Sequence, residues 1–192
     1  YFDGLKVGQT PSATGFNMAS PTLSLANRQS GIDANFQGQL DEVRVWNRAL
    51  LQGEIQALRR QPLRGTESGL LLYLPFQSEA ANPEPIAAPA SALGPQLGAT
   101  EPLVEFDYAA AGGLSHATLS NGAAHVRREP GQRGVLLDGL DDHVLVPHHS
   151  SLNAFPLTVT AWIQTTDIDG GIASKYADGS LNGWTFRLVG GR

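Results

Sequence analysis

The stretch FQGQLDEVRVWNRAL, residues 36–50, decides the fold, because it begins as a clear β-strand and ends in a helical pattern. Side chains alternate between the two faces of a strand. Asp41 is therefore predicted to share a face with Val43 and Val45, while Glu42 is predicted on the opposite face. This alternation is typical of a strand that covers a core with one face.

Beyond this strand, the apolar spacing changes from the strand period to the helix period. Leu50, Leu51, Ile55 and Leu58 fall roughly on one helical stripe, and Pro62 would end a helix there. The sequence predicts a short helical turn near residues 50–60.

The rest of the chain is rich in turns and short apolar runs, with 22 glycines and 12 prolines. Asp3-Gly4 predicts a hairpin within YFDGLKVG, residues 1–8. Further strands are predicted at residues 23–25, 69–76, 134–137, 143–146 and 157–163, followed by a hairpin-like stretch at 170–188 with turns at Asp178-Gly179 and Asn182-Gly183. Alanine and proline dominate residues 77–113, which are predicted to form a surface excursion.

Composition excludes several classes of function. The formal net charge is −5, which gives no electrostatic footprint for nucleic acid. No apolar run approaches the ~18 residues of a membrane span, and no cysteine is present for disulfides or thiolate chemistry. The chain starts at Tyr1 with Met18 as its only methionine, so we expect a piece of a longer polypeptide.

Several segments resemble the laminin-G-like, concanavalin A-like lectin/glucanase superfamily of bacterial extracellular proteins. FQGQLDEVRVWNRAL and the following GEIQAL resemble the closing strand and terminal helical turn of such domains, and YFDGLKVG resembles the preceding hairpin. GLLLYLPF resembles an opening strand, and GVLLDGLDDHVLVP, FPLTVTAWI and GGIASKYADGSLNGWTFRL follow in the usual order. The resemblance implies an all-β fold, an antiparallel jelly-roll β-sandwich of the concanavalin A-like type.

The order of these segments is unusual, because an ending comes before a beginning. It predicts the C-terminal part of one sandwich in residues 1–64 and the N-terminal part of a second in residues 65–192, as cut from a tandem array. Two alternatives remain open. The two parts could pair with each other like a circular permutant, or pair between molecules and propagate a fibre.

The acidic turn Asp138-Gly139-Leu140-Asp141-Asp142 is a candidate metal site. Calcium takes several oxygen ligands, which carboxylates at a turn can supply. The resemblance implies a structural calcium near this turn, with help from the acidic residue of the closing strand, Asp41. The alternative is that Asp138 and Asp141 only shape a hairpin.

Catalysis is not expected. Glycoside hydrolysis needs two carboxylates at a fixed separation. The laminarinase-like enzymes of the superfamily that the chain resembles carry them on one strand as Glu-x-Asp-x-x-Glu, and this spacing does not occur here. Asp41 and Glu42 are predicted on opposite faces of one strand. The five histidines are predicted to be solvated loop residues.

Trp162 and Trp184 are candidate ligand-binding residues, because aromatic rings can stack on sugars; core packing is the alternative. We expect a non-catalytic extracellular or cell-surface module of a larger repetitive protein, for adhesion or recognition of a carbohydrate or cell-surface ligand. The alternative is a structural spacer or self-assembling subunit whose partners are copies of itself.

Overall fold

The structure, a computed structural model, describes residues 1–9, 22–27, 35–77, 103–105, 117–129, 132–177 and 182–191. Its described elements are β1 (Leu23–Leu25), β2 (Gln37–Trp46), α1 (Gln52–Leu58), β3 (Leu70–Leu74), β4 (Leu103–Glu105), β5 (Ala117–Ser120), β6 (Ala124–Glu129), β7 (Gln132–Asp138), β8 (His143–Val146), a 3-10 turn (Ser150–Asn153), β9 (Thr158–Gln164), β10 (Gly170–Ala177) and β11 (Asn182–Leu188). No helix in these ranges is long and apolar enough to cross a membrane.

The strands form two sheets. One has six strands in the order β11-β10-β1-β8-β5-β4. The other has five strands. Strand β2 pairs with β7 and β3 along one edge and with β9 along the opposite edge, and β6 pairs with β7. Every pair of named strands is antiparallel. The predicted antiparallel β-sandwich is confirmed.

The large core lies between the two sheets. It takes alternate apolar side chains from nearly every described strand, as a sandwich requires; fully buried examples are Leu25, Leu40, Leu72, Val135 and Val144. The predicted strands at 23–25, 69–76, 134–137, 143–146 and 157–163 all lie within or overlap observed strands.

Both parts of the chain contribute to both sheets. Leu25 of β1 pairs with Val144 of β8 on one side and Ala173 of β10 on the other. Strand β2 likewise lies between β7 and β9. The N-terminal segment therefore supplies an interior strand to each sheet of a sandwich built mainly from later strands. The division at residue 64 into parts of two parent domains stays a prediction.

A second, smaller cluster lies on the outer face of the five-stranded sheet. Trp46, Leu50, Leu70 and Tyr73 are buried there, and Ile55 and Leu58 of α1 pack on them. The predicted helical turn near 50–60 is confirmed. The N-terminal hairpin is also confirmed, because Phe2 and Leu5 exchange two backbone hydrogen bonds of 2.8 and 2.9 Å.

One predicted turn is wrong, and three of the described strands, β4, β5 and β6, were not predicted. Asn182-Gly183 is not a turn, since Asn182 pairs with Ala177 at the start of β11; Asp178-Gly179 lies outside the described residues. Residues 103–105 form β4 within the predicted surface excursion of residues 77–113, most of which lies outside the described ranges.

Strand β1 lies between β8 and β10, and replacing one of its side chains tests how much the stability of the sandwich depends on the N-terminal segment. Leu25→Ala should lower the free energy of unfolding by about 2–5 kcal/mol, because it opens a cavity in a fully buried position. Leu51→Ala is the matched control: Leu51 is 72% exposed, and its loss should change stability by no more than about 0.5 kcal/mol. Equal effects in urea unfolding would contradict the central placement of β1.

Candidate functional site

A β-bulge in β2 decides which side chains reach the outer face of the five-stranded sheet. The β2–β9 register shifts between Asp41 and Arg44, and Glu42 has a positive φ of 51°. Leu40 and Val43 both point into the core as a result. Paired residues of neighbouring strands share a face, and Asp41 pairs with Trp162, whose side chain lies on the outer face. Asp41 therefore lies on the face opposite Val43, and the prediction that the two share a face is wrong.

Glu42 is the centre of a polar network on this outer face. The hydroxyl of Tyr73 donates to both carboxylate oxygens of Glu42, at 2.9 Å each, and the guanidinium of Arg44 donates to the same carboxylate. Burial, followed by the charge and hydrogen bond of Glu42, raises the pKa of Tyr73 to about 12. The phenol therefore stays neutral and donating throughout the physiological range.

Side chains of the sheet also fix the end of α1. Arg44 donates to the carbonyl oxygens of Leu58 at 2.6 Å and Gln61 at 2.9 Å, and Trp162 Nε1 donates to the carbonyl of Arg59 at 2.9 Å. Carbonyls at a helix end lack intrahelical partners. These bonds hold the helix over the outer face without filling the space beneath it.

A cleft of about 170 Å³ remains between the sheet, the helix and the N-terminal hairpin. Its walls come from three places. The sheet contributes Glu42, Arg44, Trp46, Thr158, Thr160 and Trp162; the helical segment contributes Leu50, Ile55, Leu58 and Arg59; the hairpin contributes Tyr1, Asp3 and Gly4. Val159, Ala161 and Phe186 complete the lining of the cleft.

Two hydrogen-bond donors in the cleft wall have no partner among the described residues. They are Arg44 Nε and Trp46 Nε1, on residues that are only 4% and 1% exposed. A buried donor without an acceptor costs about 1–3 kcal/mol. The cleft is thus an aromatic and apolar pocket, and these two donors are shielded from solvent within its wall.

The two predicted ligand-binding tryptophans lie in different environments. Trp162 is half-buried and lines the cleft. Trp184 lies in the large core and is only 9% exposed, so it is a packing residue rather than a stacking surface. Arg44 was not predicted as a site residue from the sequence; the only signal was a charged residue between Val43 and Val45.

The acidic turn brings three of the predicted metal ligands together. Carboxylate oxygens of Asp138, Asp141 and Asp142 all lie within 4.8 Å of one another. Asp142 Oδ2 accepts the backbone N–H of Asp138 at 2.9 Å, and Asp138 Oδ1 accepts that of Leu140 at 2.8 Å. This geometry folds the loop back onto its own carboxylates.

Asp142 is the buried member of this cluster, at 4% exposure. Burial raises the pKa of its carboxyl, and the charges of Asp138 and Asp141 raise it further, against the lowering effect of the Asp138 N–H. Its Oδ1 has no partner among the described residues. Glycine at position 122 makes room for this oxygen, because a Cβ there would lie only 2.8 Å from Oδ1.

Asp41 does not join the acidic cluster. Gln37 is the β2 residue that pairs with Asp138, while Asp41 lies four residues further along β2 and its Oδ1 accepts the backbone N–H of Glu42 at 2.7 Å. The bulge leaves Asp41 and Glu42 on the same outer face, contrary to the prediction of opposite faces. The acidic turn alone is the candidate metal site.

Comparison with known proteins finds a similarity for the N-terminal part of the chain. Residues 1–56 match the family model described as the concanavalin A-like lectin/glucanases superfamily. This region includes β1, β2, most of α1 and the outer-face residues Glu42, Arg44 and Trp46. No curated protein and no solved structure matches the chain.

The raised pKa of Tyr73 predicts a pH dependence of stability. In the unfolded chain tyrosine loses its proton near pH 10, whereas in the fold Tyr73 keeps it until about pH 12. The contribution of this residue is therefore fully present below pH 10 and is lost as the pH rises through 12. Urea unfolding of the native chain and of Tyr73→Phe should give a stability difference that shrinks across this window. A constant difference would contradict the neutral Tyr73–Glu42 bond.

Proposed function

We propose that this concanavalin A-like sandwich is a non-catalytic recognition module that binds carbohydrate in the cleft beneath α1. The observation that carries the proposal is a cleft of about 170 Å³ whose wall contains the aromatic side chains of Tyr1, Trp46 and Trp162. The module would act outside the cell or at its surface, as part of a larger repetitive protein.

The shape and chemistry of the cleft favour a sugar ring. A cavity of about 150 Å³ can hold a six-membered ring, and this cleft has about 170 Å³. Pyranose rings present apolar C–H faces that pack on aromatic side chains, and hydroxyl oxygens that accept hydrogen bonds. Polar side chains of the lining, among them Thr160 and Arg59, would bond to these hydroxyls, which supplies affinity that an apolar ligand could not obtain.

A binding role is favoured over hydrolysis because of how Glu42 is held. A glycosidase needs two carboxylates free to reach the scissile bond from both sides. The carboxylate of Glu42 is already occupied by Tyr73 and Arg44. Its partners make it a structural acceptor rather than a proton donor or nucleophile.

We also propose that a calcium ion stabilises the acidic turn. Three aspartates with mutually close oxygens fit the hard-oxygen preference of calcium. The buried, unpartnered Oδ1 of Asp142 beside Gly122 is the feature that an ion would satisfy. The ion would hold Asp138, Asp141 and Asp142 in their folded positions and neutralise their mutual repulsion.

Filling the cleft tests carbohydrate recognition. The chain is first screened on an array of immobilised oligosaccharides, and the best binder is then titrated by calorimetry. Thr160→Trp places a large side chain in the cleft without removing any of the bonds of Arg44 or Trp162. We expect it to weaken binding at least tenfold, which corresponds to about 1.4 kcal/mol.

Thr118→Trp is the matched control for this experiment. Thr118 lies in β5 of the six-stranded sheet, and it is not among the residues that line the cleft. It should leave the affinity unchanged. An array on which no oligosaccharide binds, or equal losses in both variants, would overturn the proposal.

Removing one charge from the acidic turn tests the calcium site. Asp142→Asn keeps an oxygen for the N–H of Asp138 but removes the buried charge, so in EDTA the variant should be at least as stable as the native chain. Calcium should raise the urea midpoint of the native chain and not that of Asp142→Asn. The control is Asp169→Asn, whose Oδ1 accepts the N–H of Gly190 outside the cluster; this variant should still respond. A native midpoint insensitive to calcium would exclude the site.

A further inference from the structure

The large core is incompletely covered along one side of the sandwich. Among the described residues, six apolar side chains pack against this core and yet remain only half-buried: Ala154, Leu157, Val159, Ala161, Ile163 and Phe186. All of them lie in β9, in the segment leading into it, or in β11. The two sheets end here, since β9 pairs only with β2 and β11 only with β10 in the described part of the chain.

Strand β9 also lacks the features that usually protect an edge. Its seven residues, TVTAWIQ, contain no charged residue and no proline. Natural edge strands are commonly short, charged or interrupted by proline, because an unpaired regular edge invites another strand. The composition of β9 is instead that of a good strand former, and within the described ranges one row of its backbone groups faces no partner strand.

We propose that β9 pairs with β9 of a second copy of this chain, in antiparallel orientation about a two-fold axis at Ala161. This partner is favoured by the strand itself. An isologous contact places identical residues near one another, and like charges facing across strands are destabilising. An uncharged strand can pair with its own copy without that repulsion.

The register centred on Ala161 follows from strand geometry. It is the one that pairs all seven residues of each β9. It places Val159 opposite Ile163 of the copy on the inner face, and Thr160 opposite Trp162 of the copy on the outer face. The small Ala161 side chains meet at the axis, where bulk would be hardest to accommodate.

Such pairing would cover apolar surface that the single chain leaves half-exposed. The second copy would lie over the half-buried row of Val159, Ala161 and Ile163. It would also lie beside the cleft, whose lining includes Ala161 and Phe186. The apolar area removed from water would add to the backbone hydrogen bonds between the strands.

A single cysteine can report this axis, because the chain has none of its own. Opposed residues of an antiparallel pair have Cβ atoms about 4.5–5.5 Å apart, close to the separation of about 3.5–4.5 Å that a disulfide needs. Under mild oxidation, Ala161→Cys should form covalent dimers at least tenfold faster than Ser150→Cys, an exposed control in the 3-10 turn. Equal rates would overturn the proposal.

Light scattering on the full chain supplies an independent test. The native chain should be a dimer, while Ala161→Lys and Ala161→Asp should each be monomeric, because like charges would meet at the axis. Mixing these two variants should restore dimers. A monomeric native chain at every concentration, or a mixture that stays monomeric although both variants show native circular dichroism, would overturn it. If a charged variant fails to fold, the cysteine rates decide alone. Oligomeric state is measured here without any oligosaccharide, so the outcome does not depend on the carbohydrate site.

Discussion

The bulge at Asp41 and Glu42 is the constraint on which the outer face of the sandwich depends. It lets Leu40 and Val43 both enter the core and shifts Asp41 to the face of Trp162. The positive φ of Glu42 costs of order 1–2 kcal/mol for a residue with a Cβ. The bonds from Tyr73 and Arg44 to its carboxylate offset that strain and fix the bulge in place.

The helix and the cleft are consequences of the same network. A helix of seven residues is not stable alone in water, so α1 depends on the donors that Arg44 and Trp162 direct at its final carbonyls. These bonds hold α1 at a distance set by side-chain length. The space beneath it is therefore bounded by rigid contacts. A preorganised pocket of this kind loses little entropy when a ligand binds.

Sequence patterns predicted those features that depend on local composition. The apolar runs at 69–76 and 143–146, the Asp3-Gly4 hairpin and the helical stripe after residue 47 were found because each contains its own signal. The bulge was missed because strict alternation was assumed through Asp41. Strands β5 and β6 were missed because ATLS and AHVRRE carry few apolar residues, and the core position of Trp184 depends on β11 lying over the other sheet. The insertion of β1 between β8 and β10 is a long-range pairing that no local pattern encodes.

That insertion bears on how copies of this chain can associate. Strands β1 and β2 are interior strands, each bonded on both sides within one chain. Association by exchange of sandwich parts would first require these pairings to be broken, with loss of much of the core, before equivalent pairings form with another copy. Pairing through β9 breaks no existing strand pair and covers apolar surface that is half-exposed in the single chain. Of the two routes to assembly, the edge route therefore has the lower barrier, and its closed two-fold geometry ends at a dimer whereas serial exchange of parts could extend into a fibre.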